Sequence, residues 1–99
     1  MTTHKLKSWP AFFKQIATGK RTHELRRNDR NFQVGDILEL REWNPVGGQH
    51  PDRGTFTGAW CLALITSITS ESSPCAVSEV ALHADFCILS ILPFRTGDH

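Results

Sequence analysis

A chain of 99 residues has room for one domain, 1–99, with a modest hydrophobic core. Its 39% hydrophobic and 21% charged residues exclude a disordered chain, and no apolar run approaches the roughly 18 residues that span a bilayer. The net charge of +1 conceals a division: residues 1–30 carry eight Lys and Arg against two acids, whereas residues 31–99 carry three against eight. A chain so divided offers an anionic partner a local basic face without adhering to polyanions as a whole; the same lysines also suit a merely solvated face.

In chain order, residues 1–10 contain lysines but no apolar stretch after them, so no secretory leader is expected and the protein is read as cytoplasmic. Ser8 is suited to cap a helix with Pro10 in its first turn, Phe12, Phe13, Ile16 and Ala17 on one stripe, and Gly19 as a left-handed stop. Thr22 to Arg26 alternates as a strand. Thr22, Glu24 and Arg26 then share one face, either solvent or a cleft, and Leu25 on the other face suits the core. Gly35-Asp36 reads as a turn feeding a strand over Ile37 to Trp43.

The segment 44–54 holds three Gly and two Pro and reads as a surface loop. Phe56 to Ile68 is the longest buried strand predicted, Glu71 to Pro74 is a break, Val77 to Leu82 is ambiguous, and Asp85 to Leu92 closes the chain as a strand. One early helix among short strands implies an α+β, mostly-β fold: a small, largely antiparallel barrel with the helix against it.

Catalytic and cofactor signatures are absent: the sequence contains no GxxxxGK[ST], GxGxxG or HExxH. The five histidines show no metal-ligand spacing, and His83 and Asp85, two apart on a strand face, could touch without a third ligand nearby, so no metal or other cofactor is expected. Cys61, Cys75 and Cys87 are an odd number without CxxC spacing, and Cys61 and Cys87 sit among apolar neighbours as small core residues. The stretch from Gly19 to Arg30 remains. Its arginines and Asn28 have the chemistry to clamp a phosphate or read a base edge; an intrastrand ion pair followed by an Asx-type turn explains the same residues structurally.

His4 to Lys7, Trp9-Pro10, the run from Gly19 to Arg30, Phe32 to Asp36 and Leu40 to Trp43, with the closing Phe86 to Ile91, resemble the ASCH family. Within it they resemble the small bacterial and phage branch described as a domain of unknown function with a PUA-like fold. The resemblance implies a PUA-like barrel with a cleft beside the first helix, and a role in binding RNA or a modified nucleoside. The family pattern G-x-K-x-x-E-x-R is matched at Gly19, Glu24 and Arg26, with Arg21 where lysine is usual.

A related branch hydrolyses N4-acetylcytidine with a lysine and a threonine at the positions of Arg21 and Glu24 and a later glutamate, for which Glu71 and Glu79 both qualify. A guanidinium stays protonated and a carboxylate offers no hydroxyl nucleophile, so that chemistry does not transfer residue by residue. The expectation is a binding module for RNA or a nucleotide, with Lys7, Lys20, Arg21, Arg26 and Arg30 holding phosphate and Glu24 and Asn28 bonding a base. Trp9 or Trp43 is available either to stack on that base or to pack in the core. The alternatives are a small amidohydrolase acting on an N4-acylated cytidine nucleoside, in which Lys20 replaces the missing lysine, and a protein-binding factor without a small ligand.

Overall fold

Period-two patterning dominates the chain, and in the computed structural model it produces five strands and one short helix among the described residues. The structure describes residues 1–46, 54–74 and 82–98; the ambiguous stretch 77–82 falls almost entirely outside them, as do most of the Pro/Gly loop and Cys75. The elements are β1 (Thr3–Ser8), α1 (Pro10–Ala17), β2 (His23–Arg27), β3 (Ile37–Asn44), β4 (Thr55–Ser70) and β5 (Phe86–Gly97).

β1 corrects the expectation of a Ser8 cap. His4, Leu6 and Ser8 point inward and Thr3, Lys5 and Lys7 outward, so Ser8 ends a strand. The helix begins one residue later at an extended Trp9 that makes no side-chain cap; Pro10 occupies the first turn, where its missing N–H costs nothing. Of the predicted stripe, Phe13 and Ile16 are buried and Phe12 is not. Gly19, at φ +78°, ends the helix as expected: its N–H donates to Ile16 O and that of Lys20 to Gln15 O, a Schellman closure.

The strands form one sheet in the order β1-β3-β4-β5-β2. β1 lies parallel to β3 and the other three pairings are antiparallel. The sheet curls into a half-barrel, and α1 packs on β3, β4 and β5. Ile16, Leu38, Leu40, Ile65, Leu89, Cys61 and Cys87 are fully buried in the core. β5 runs past the predicted end at Leu92. Pro93 lacks an N–H, and the β4–β5 register shifts beside it, so the strand continues through a bulge. A second irregularity, between Arg41 and Trp43 of β3, lies opposite Gly58, whose φ of +98° suits glycine.

Asp36 fixes β1 to the rest. Its carboxylate accepts from His4 Nε2 at 2.9 Å and from the main-chain N–H groups of Thr2 and Gln33 at 3.1 Å each. Chiefly the His4 bond, then that of Thr2, holds the Asp36 carboxyl below its ordinary pKa range. Because Asp36 immediately precedes β3, this knot sets the β1–β3 register, pairing Lys7 with Arg41 and Ser8 with Glu42.

Candidate functional site

β1 and β2 are the two edges of the sheet, and between them the half-barrel stays open. A side chain bridges the gap. Arg26, on β2, donates through Nε to Glu24 Oε2 at 2.7 Å and through Nη2 to Lys7 O on β1 at 2.6 Å. The guanidinium therefore supplies an inter-edge bond of the kind a main-chain ladder would make, while neutralising a carboxylate that is 5% exposed as a residue.

Here the expectation for β2 is inverted: Glu24 faces inward and Leu25 is 54% exposed. The register with β5 sets this. Glu24 pairs with the fully buried Leu89 and Arg26 with the fully buried Cys87, so their parity is the interior one. The paired face is nonetheless the cleft face, one of the two readings the alternation allowed.

The opening is a hollow of about 360 Å³ lined by Lys7, Ser8, Trp9, Phe12, Arg21, Glu24, Leu25 and Arg26, within the range of small-ligand sites. Trp9 and Phe12 are 54% and 43% exposed, which places Trp9 on the cleft rather than in the core. The Arg21 guanidinium lies over the Phe12 ring at 4.7 Å and donates from Nε to His23 O at 3.3 Å. The Lys7 ammonium lies 4.5 Å from the centre of the Trp43 ring. Arg26 meets Glu24 through Oε2 with both Nε and Nη2.

Ser8 is the residue that the sequence reading placed elsewhere. It is 3% exposed, lines the hollow, and its Oγ has no hydrogen-bond partner among the described residues. Opposite it in the β1–β3 register, Glu42 accepts from Thr57 Oγ1 at 2.8 Å through Oε1, while its Oε2 is likewise buried without a partner. Alternation over His4 to Ser8 was the available signal for a strand, and hence for Ser8 facing inward.

Of the seven residues expected at a site, Lys7, Arg21, Glu24 and Arg26 converge on this hollow. Arg30 lines a neighbouring one with Lys5, Lys7, Arg26, Arg41 and Phe56. Lys20 is exposed at the helix stop. Asn28 lies apart beside Glu71, Ser72 and Ala84, its main-chain N–H donating to Asp85 O at 2.7 Å. His83 and Asp85 approach to 3.7 Å at an exposed position, and the described residues contain no cluster of three potential metal ligands. Cys61 and Cys87 are fully buried; burial raises both thiol pKa values, with the Asp29 charge adding to that of Cys87. No helix among the described residues is long and apolar enough to cross a membrane.

Comparison with known proteins adds a family. Residues 3–91 match the model of a domain of unknown function, DUF3850, and the chain belongs to that family. It is also 36% identical over 69 residues, 70% of its length, to an uncharacterized 12.9 kDa protein in the GpA 3′ region of Escherichia phage P2. The match spans 56% of that relative.

Proposed function

For this member of the DUF3850 family, we propose that the open seam binds a nucleobase, presented in RNA or as a modified nucleoside. The observation that carries the reading is Ser8, a residue that lines the hollow and whose buried hydroxyl has no partner among the described residues. An unsatisfied buried hydroxyl costs about 1–3 kcal/mol, which a ligand's hydrogen bond removes. Beside it the Glu24 carboxylate suits an exocyclic amino group, as carboxylates accept from cytosine. Trp9 and Phe12 provide exposed ring faces, and base–aromatic stacking contributes roughly 1–3 kcal/mol. Lys7 and Arg21 on the rim suit a phosphate.

The resemblance of Gly19 to Arg30 to the ASCH family supports the same assignment. Arg21, a permanent cation stacked on Phe12, and Glu24, bound by Arg26, occupy the positions where the hydrolase branch needs a lysine and a threonine, which favours binding over hydrolysis.

The test is a titration of the protein's tryptophan fluorescence with the four ribonucleosides, N4-acetylcytidine and short single-stranded RNA, for wild type and Ser8→Ala. The expected result is saturable quenching by at least one of these. Ser8→Ala weakens it about 5-fold or more without lowering thermal stability, since the hydroxyl makes no bond within the fold. No binding at millimolar ligand, or unchanged affinity in a less stable Ser8→Ala, defeats the proposal.

A further inference from the structure

A second hollow of about 370 Å³ adjoins the first and shares Lys7 and Arg26 with it; Lys5, Leu6, Arg30, Arg41 and Phe56 complete its lining. Five of these seven residues are cations, Leu6 and Phe56 are apolar, and none is an acid. Two of the charges are met locally, that of Arg26 by Glu24 and that of Arg41 by Glu39, whose Oε2 accepts from Arg41 Nε at 2.7 Å. Lys5, Lys7 and Arg30 form no ion pair among the described residues. Three uncompensated cations therefore face one depression, in a chain whose net charge is only +1. Lys5 and Lys7 stand two apart on the outward face of β1, so both side chains leave the strand on one side. Beyond them Phe56 is 50% exposed, and a third depression continues from it along Arg41 and Gly58.

We propose that the two hollows are consecutive subsites for a single-stranded oligonucleotide: one base in the Trp9/Phe12/Glu24 cleft, the adjoining backbone phosphate on Lys5, Lys7 and Arg30, and the next base against Phe56. The proposal rests on the nucleobase reading of the first cleft and adds polymer length to it. A free nucleoside fills only one hollow and leaves the cations of the second without an anion, whereas a chain passing over Lys7 and Arg26 uses both.

The experiment compares a nucleoside 5′-monophosphate with a hexanucleotide of single-stranded RNA containing the same base, using wild type, Lys5→Ala/Arg30→Ala and Phe56→Ala. A hexaglutamate peptide serves as an anionic control, and thermal melts confirm that the exposed substitutions leave the fold intact. The hexanucleotide should bind at least 10-fold more tightly than the monophosphate. The double variant should lose that excess and lower the salt slope by about 1–2, each phosphate contact contributing about 0.7 in single strands. Phe56→Ala should weaken the hexanucleotide roughly 5-fold or more, and all variants should keep monophosphate affinity within 2-fold. Equal affinity for monophosphate and hexanucleotide overturns the two-subsite proposal and leaves the nucleobase reading standing. Absence of binding by either defeats both. Hexaglutamate binding as tightly as the RNA overturns it in favour of an acidic protein partner.

Discussion

Replacing Arg26 by methionine keeps the aliphatic stem and removes the group that ties β2 to β1. Two charge-assisted bonds disappear, to Glu24 Oε2 and Lys7 O, and the Glu24 carboxylate, 7% exposed as a side chain, loses its cation. Breaking a fully buried pair costs about 3–5 kcal/mol. Arg26 is 25% exposed, so solvent screens part of the interaction and about 2–3 kcal/mol is expected. For a domain of this size that lowers the melting temperature by roughly 8–20 °C. Glu24→Gln should cost only about 1 kcal/mol, because the amide oxygen still accepts from Arg26 Nε. The double variant Glu24→Leu/Arg26→Met should return to within about 1 kcal/mol of wild type, since apolar replacement of both partners removes the stranded charge. Urea unfolding of the four proteins measures each value. Arg26→Met within 0.5 kcal/mol of wild type, or a double variant as unstable as the single one, would refute the assignment of the pair as a buried bridge.

Two further predictions concern the frame around the seam. Because the Asp36 pKa is lowered in the fold, its contribution is complete above the unfolded value of about 3.9 and is lost as the pH falls through the lower folded value. Urea midpoints from pH 6 to 2 should therefore show an acid limb that Asp36→Asn removes, that variant being the less stable at pH 7. Cys61 and Cys87 should resist alkylation until the whole protein unfolds, a result read by peptide mapping after pulses in rising urea, because burial both shields the thiols and disfavours the thiolate.

The mostly-β class, the helix stop at Gly19 and the cores of β3 and β4 were legible because each is local: a turn residue, a period, an apolar run. β1 was not. Its Lys5 and Lys7 alternate with Leu6 over only six residues, and Ser8 before Pro10 carries a helix-capping signal that the strand overrides. The facing of β2 was illegible for a different reason. Alternation shows that Glu24 and Arg26 share a side, but the choice of side comes from the register with Leu89 and Cys87, more than sixty residues away in the chain. Arg21, Glu24 and Arg26 were visible in the cleft because they lie within one motif. The cationic lining from Lys5 to Arg41 becomes visible only when parallel pairing lays β1 beside β3.

An incompletely closed barrel keeps two sheet edges, and unpaired edges invite other chains to add strands. Lys5 and Lys7 on the outward face of β1 oppose that addition, because a second copy would bring its own lysines alongside. On the proposed function, the charges that would meet nucleic acid are therefore the same ones that oppose edge-to-edge pairing. Neutralising them, by substitution or by a bound polyanion, removes that opposition and leaves the same main chain open to pairing with a second copy.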